Sequence, residues 1–149
     1  MKPAPRVALA IASASVTNGA TATATAIDTS PAGKAQARFL TIDIIATTAD
    51  VVSNKPSVLK LQHSDTTDSS NYSDISGFLG GTDFTIPNGD TSNPNIYKFN
   101  VDLHGKKRYI KALISPRTTM TVFGVANLHM LGESAGTATK AGATALIEG

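Results

Sequence analysis

The stretch Ser57–Phe78, SVLKLQHSDTTDSSNYSDISGF, contains the pattern on which the fold of the whole chain depends. It begins with alternating apolar and polar side chains, becomes polar from His63 onward, and returns to apolar sequence at Tyr72. Alternation with a period of two residues is typical of a β-strand that buries one face. The stretch therefore predicts a strand, a polar loop over Ser64–Asn71, and a second strand.

Two further segments predict the clearest strands. Arg38–Thr47 is rich in β-forming side chains, and Asp43 lies where one face of that strand should be wet. Ile96–Leu103 has the period of two residues of a strand, with two sets of alternating side chains: Ile96, Lys98, Asn100 and Asp102 on one face, and Tyr97, Phe99, Val101 and Leu103 on the other. Because Gly105 and two lysines then lead into a further apolar run over Arg108–Ile114, these two runs are predicted to form a β-hairpin.

Both ends of the predicted core carry strand signals as well. Met120–Met130 is expected to form the last core strand, with Gly124 at a bulge or a close approach to a neighbouring strand. Near the N-terminus, Val7, Leu9 and Ile11 alternate with alanines, which predicts a strand with these three side chains facing inward.

About eight short strands, with turn residues between them and no helical period, predict an all-β fold. A length of 149 residues suits one domain. We expect an antiparallel β-sandwich, more specifically a jelly roll, with extended N- and C-terminal arms. The predicted division is an N-terminal arm and edge strand over 1–27, the sandwich core over 28–131, and a flexible or interface-bound tail over 132–149.

The composition narrows the classes of function. Charged residues make up 16% of the chain, below the roughly 25% of typical domains. The net charge is +2, and the lysines and arginines are scattered, so we expect no nucleic-acid partner. No apolar run approaches the roughly eighteen residues of a membrane helix, so no membrane partner is expected either. Without cysteine the chain has no disulfides, thiolate zinc sites or cysteine nucleophiles.

The consecutive residues His63, Ser64 and Asp65 include the residue types of a hydrolase triad. Adjacent residues on a strand point to opposite faces, however, whereas the members of a triad converge from separate segments. A strand-end turn, in which Ser64 or Asp65 bonds to nearby backbone, is the favoured interpretation. We therefore predict no catalytic residue, no cofactor and no enzyme activity.

The loop aspartates raise the question of a calcium site, because calcium binds six to eight oxygens in such loops. Asp65, Asp68 and Asp74 are the candidate ligands. EF-hand spacing is absent, and isolated loop aspartates more often form Asx-turns, so no metal site is predicted. A carbohydrate-binding β-sandwich remains an alternative, although the chain has no tryptophan to serve as a sugar platform.

Three segments, taken together, resemble a family of small structural proteins encoded in the head-gene regions of tailed bacteriophages. The recurrent features of that family correspond here to Leu61–Asp65, Asp74-Ile75, Tyr97–Phe99 and Gly105–Ile110. The resemblance covers roughly 33–131 and includes neither end of the chain.

The resemblance implies a virion protein that decorates or cements the capsid surface. It also implies a jelly-roll domain, a homo-oligomer with a trimer favoured, the major capsid protein as partner, and no enzyme activity. An arm such as Met1–Ile27 could add a strand to the exposed sheet edge of a neighbour. Another virion role, as a minor coat, head-fibre or tail-associated protein, is the nearest alternative.

Overall fold

The structure is a computed structural model that describes residues 6–33, 36–130, 137–139 and 142–149. Nine strands lie in this part of the chain: β1 (Arg6–Val16), β2 (Ile27–Asp28), β3 (Phe39–Ala46), β4 (Val58–Ser64), β5 (Ser73–Leu79), β6 (Asn95–Asp102), β7 (Tyr109–Ser115), β8 (Met120–His129) and β9 (Ala145–Glu148). The same described residues include one 3₁₀ turn, over Ser69–Asn71. No helix among the described residues has the length and apolarity needed to cross a bilayer.

The strands form two sheets, which confirms the predicted all-β sandwich. The larger sheet has the order β1-β8-β3-β6-β9, and the smaller sheet has the order β2-β7-β4-β5. Four antiparallel pairs are nested around the connection between β4 and β5. From the inside outward they are β4 with β5, β3 with β6, β2 with β7 and β1 with β8. The stretch Ser57–Phe78 supplies the innermost pair of this nest.

The core lies between the two sheets and follows the predicted alternation. In β3, every second side chain from Leu40 to Ala46 is buried, and in β6 the buried positions include Tyr97, Phe99 and Val101. The ring of Phe99 on the larger sheet lies 6.1 Å from that of Phe78 on the smaller sheet, centroid to centroid. Such tilted aromatic contacts stabilise the packing beyond the area they bury.

The inward face predicted for the first strand is wrong in its first half. Val7 and Leu9 are 70% and 51% exposed, whereas Ile11 is buried. The reason is a bulge: Leu9 pairs with Val125 and Ile11 pairs with Gly124, so one extra residue on β1 reverses the alternation. A Cβ on Gly124 would lie 3.3 Å from the Cβ of Ile11, which confirms the close approach predicted at this glycine.

The predicted hairpin between Ile96–Leu103 and Arg108–Ile114 is also wrong. Both segments are strands, but β6 lies in the larger sheet and β7 lies in the smaller one. The connection between them crosses the end of the sandwich, where Leu103 is buried and its N–H donates to the carbonyl oxygen of Arg38 at 2.9 Å. Turn residues indicate that the chain reverses, but they do not indicate which sheet it enters.

Both ends of the chain contribute strands to the larger sheet. On β1, Val16 is buried, so this strand belongs to the core rather than to a detached arm. At the other end β9 pairs in parallel with β6 and buries Ile147, whereas the sequence predicted a tail that buries little. The edge of β6 would otherwise be open, and four extended residues are enough to cover it. Residues 1–5, 131–136 and 140–141 lie outside the described residues.

The aromatic contact between the sheets yields a stability prediction. Phe99→Ala removes a fully buried ring that contacts Phe78 and Phe84, and it should lower the free energy of unfolding by about 3–5 kcal/mol. Phe123→Ala, on the outer face of the larger sheet, is the matched control. It should lower the free energy of unfolding by less than half as much. Urea denaturation of both variants measures the difference. Equal losses would contradict the assignment of Phe99 to the inner layer.

Candidate functional site

The outer face of the larger sheet carries several apolar side chains that are exposed to solvent in whole or in part. Leu9 and Val7 are the most exposed large apolar residues on it, and six others are partly exposed: Phe39, Ile45, Ile96, Phe123, Val125 and Leu146. We define the outer apolar strip by its six members: Val7, Leu9, Ile45, Ile96, Phe123 and Val125. Scattered single apolar residues are normal on protein surfaces, whereas a connected group marks a contact surface.

The register of the strands makes the outer apolar strip continuous. Leu9 on β1 lies opposite Val125 on β8, and Ile45 on β3 lies opposite both Phe123 on β8 and Ile96 on β6. Directly opposed residues have Cβ atoms about 4.5–5.5 Å apart. The strip therefore crosses four neighbouring strands, and the bulge in β1 is what turns Leu9 onto it.

An ion pair in the same face leaves the strip without net charge. Asp43 on β3 lies opposite Val125 on one side and Lys98 on the other, and its carboxylate pairs with the Lys98 ammonium. Both side chains are less than one quarter exposed. Because both charges of this pair already have a partner, the part of the face around Asp43 and Lys98 can be covered by another protein without leaving an unpaired ion there.

The free edge of β1 borders the outer apolar strip and is covered at one point. The N–H of Thr25 donates to the carbonyl oxygen of Ala10 at 2.9 Å, and Ile11 forms a bridge with Ala24. The connection from β1 to β2 thus follows this edge, within the predicted N-terminal arm and edge strand over 1–27. Its presence blocks the addition of a neighbour's strand at Ala10 and Ile11.

The structure separates the roles of His63, Ser64 and Asp65. Ser64 is buried, and its Oγ accepts a hydrogen bond from the N–H of Thr66 at 3.1 Å, which confirms the predicted strand-end turn. His63 Nδ1 accepts from the N–H of Lys107 at 3.3 Å. Burial, with the nearby charges of Lys107 and Lys106, lowers the pKa of His63. Asp65 is exposed.

The three candidate calcium ligands do not form a cluster. Asp68 accepts from the N–H and the Oγ of Ser70, as an Asx-turn residue does. Asp74 lies on the outer face of the smaller sheet, where its Oδ1 is 2.7 Å from Lys60 Nζ and accepts from Gln62 Nε2 at 2.7 Å. No group of three His, Cys, Asp or Glu side chains suited to a metal ion occurs among the described residues.

Two tyrosines lie on the outer face of the smaller sheet, which is where a sugar platform would be expected. Lys111 Nζ lies 4.2 Å from the ring centroid of Tyr72, and the guanidinium carbon of Arg108 lies 5.0 Å from that of Tyr109. Burial, together with the neighbouring Tyr109, raises the pKa of Tyr72. Each ring thus has one face covered by a cation of the protein itself.

Sequence reasoning missed a cleft beside the first residues of β4. Its volume is about 560 Å³. We call it the basic cleft because two cations line it, and its lining consists of Lys55, Pro56, Ser57, the segment 80–86 and Arg117. No motif joins Lys55 to Arg117, which are far apart in the chain. They meet because the N–H of Ser57 donates to the carbonyl oxygen of Ser115 at 2.8 Å.

The ion pair of Asp74 yields a pH-dependent prediction. Hydrogen bonds from Lys60 and then Gln62 hold the pKa of Asp74 below its ordinary value of 3.8. The stabilisation is therefore fully present above pH 3.8 and is lost as the pH falls through the lower folded-state pKa. Asp74→Asn should cost no more than about 1 kcal/mol at neutral pH, because the pair is partly exposed.

The difference in unfolding free energy between the wild type and Asp74→Asn should shrink as the pH approaches 3, as followed by urea denaturation across that range. A difference that stays constant down to that pH would contradict the assigned pairing.

The chain matched no known protein family, no curated protein and no solved structure in the three comparisons that were made.

Proposed function

We propose that this protein is a structural protein of a tailed-bacteriophage virion, a decoration or cement protein that binds the outer capsid and bridges subunits of the major capsid protein. The outer apolar strip is the observation that carries the proposal. It is neutral, crosses four strands and includes a partly exposed aromatic ring at Phe123. Aromatic anchors of this kind supply much of the binding energy in protein interfaces.

The strand order supports the finer assignment of the sandwich as a jelly roll. Each of the first four strands pairs with its counterpart in the second four, from β4 with β5 out to β1 with β8. Two successive Greek keys produce this nesting, and jelly rolls of eight strands recur in viral capsid and lectin domains. Because one fold hosts many functions, the proposal is supported by the strip more than by the fold.

A rigid sheet is well suited to cementing a shell. The strip lies on hydrogen-bonded strands, so its side chains lose little backbone freedom on binding, and most of the contact energy is retained as affinity. A homotrimer would present three such strips to a symmetric lattice. Simultaneous engagement of several strips converts weak single contacts into high avidity. The proposal places the protein on the capsid surface and assigns it no catalytic step.

A carbohydrate-binding β-sandwich is the second candidate, and the paired Tyr72 and Tyr109 are the observation that favours it. The cations above both rings count against it, since Lys111 and Arg108 occupy ring faces on which a sugar would stack. Titration with polysaccharides tests this candidate. A minor coat, head-fibre or tail-associated role is separated from decoration by the position of labelled protein on the head or on the tail.

Capsid binding by variants in the strip tests the proposal. Leu9→Glu places a carboxylate in the contact surface, and binding to purified empty capsids that lack this protein should weaken at least tenfold, or about 1.4 kcal/mol per contact. Leu113→Glu makes the same substitution on the outer face of the smaller sheet and is the matched control. Co-sedimentation with the capsids measures both.

Urea denaturation confirms that both variants remain folded, and light scattering reports whether the trimer persists. Removing residues 1–20 would be a poor test, since it deletes β1 with the buried Ile11 and Val16. Wild-type binding by Leu9→Glu, or an equal loss in Leu113→Glu, would contradict the assigned face.

A further inference from the structure

The basic cleft has a floor and a rim of different chemistry. Pro56 and Ile86 are buried, and Phe84 is partly exposed, so the floor is apolar. Hydroxyl side chains and the two cations, Lys55 and Arg117, form the rim. The volume of about 560 Å³ falls in the range of roughly 300–1,000 Å³ that is typical of sites for small ligands and short segments.

The two cations of the cleft are not neutralised by the protein. The ion pairs among the described residues join Lys60 to Asp74, Lys98 to Asp43 and Arg108 to Asp28, all away from the cleft. Neither Lys55 nor Arg117 has a carboxylate partner or a stacked ring within that part of the chain.

The one acid in the lining is Asp83, and it is already bonded to the backbone. Its Oδ2 accepts from the N–H of Gly77 at 2.7 Å and from the N–H of Leu79 at 2.9 Å. These bonds block the outer edge of β5 against further strand pairing. With two cations and one committed carboxylate, the lining has an excess charge of +1, which a single carboxylate of a ligand would balance.

We propose that the basic cleft binds a carboxylate-bearing peptide segment of a protein partner. An acidic side chain of that segment lies between Lys55 and Arg117, and a neighbouring apolar side chain packs on the floor. Arg117 can engage a carboxylate with two parallel hydrogen bonds, while Lys55 acts as a point charge. The apolar floor and the small excess charge favour a peptide over a nucleic acid, whose phosphates require a longer basic track.

This inference does not depend on the proposed capsid role. The cleft lies beside the first residues of β4 at one end of the smaller sheet, whereas the outer apolar strip lies on the larger sheet. The two surfaces can therefore be occupied at the same time and by different partners. A negative binding result at one surface therefore leaves the assignment of the other surface intact.

Peptide binding tests the proposal directly. The probes are the capped tetrapeptide acetyl-Leu-Glu-Asp-Leu-amide, its uncharged analogue acetyl-Leu-Gln-Asn-Leu-amide, and inorganic phosphate, each titrated by calorimetry into the full chain at low ionic strength. The acidic peptide should bind at least fivefold more tightly than either of the other two. Added salt should weaken the binding of the acidic peptide, because the two cations are solvent-accessible.

Variants locate the site. Lys55→Gln and Arg117→Gln should each weaken acidic-peptide binding at least fivefold. Lys107→Gln is the matched control, since it precedes β7 at the end of that strand opposite the cleft, about 20 Å away at 3.3 Å per residue. Substitution at these partly or fully exposed positions should leave urea denaturation unchanged.

Three results would overturn the inference. The first is equal binding of the acidic and the uncharged peptide. The second is a loss of acidic-peptide affinity in Lys107→Gln as large as the loss in Arg117→Gln. The third is phosphate binding as tight as that of the acidic peptide, which would make the cleft an anion site in which the apolar floor has no part.

Discussion

Each sheet of this protein has an inner face of core side chains, and the rest of the structure depends on those two inner faces covering each other. A single sheet of four or five strands would expose its core side chains to water. Only a second layer packed against that sheet buries these side chains. Nested pairing around the connection between β4 and β5 builds both layers from one continuous chain. The contact of Phe78 with Phe99 joins the layers, from the edge strand β5 of the smaller sheet to β6 of the larger one.

The outer faces of the two sheets differ in their side chains, and we expect the function to depend on that difference. On the smaller sheet the outward positions hold ion pairs and covered aromatic rings, such as Asp74 with Lys60 and Tyr72 beneath Lys111, and the partly exposed Val58, Leu79 and Leu113 lie among them. On the larger sheet they hold the outer apolar strip around one ion pair, Asp43 with Lys98. A polar outer face needs only water as its neighbour, whereas an apolar one is better covered by another protein.

Sequence alone predicted those features that depend on local alternation. β3 and β6 were predictable because β-forming residues are frequent in both and their inward and outward positions alternate without a bulge. The outward orientation of Leu9 was not predictable, because it depends on a bulge opposite Gly124, which is more than a hundred positions away in the chain. The partner of β7 was not predictable either, because loop residues do not specify which sheet the chain enters.

The same limit applies to the candidate sites. The local turn at Ser64 was predictable because its hydrogen bond joins residues two positions apart. The outer apolar strip and the basic cleft are products of pairing: the first requires β1, β8, β3 and β6 side by side, and the second requires Ser57 against Ser115. Such sites become visible only when the register of the strands is known.

Electron cryomicroscopy of purified empty capsids incubated with the protein tests the central claim most directly. The account predicts additional density on the outer capsid surface, with the larger sheet turned toward the shell and Leu9 and Phe123 at the contact. Density with the smaller sheet toward the shell, or capsids that gain no density at saturating protein, would contradict it.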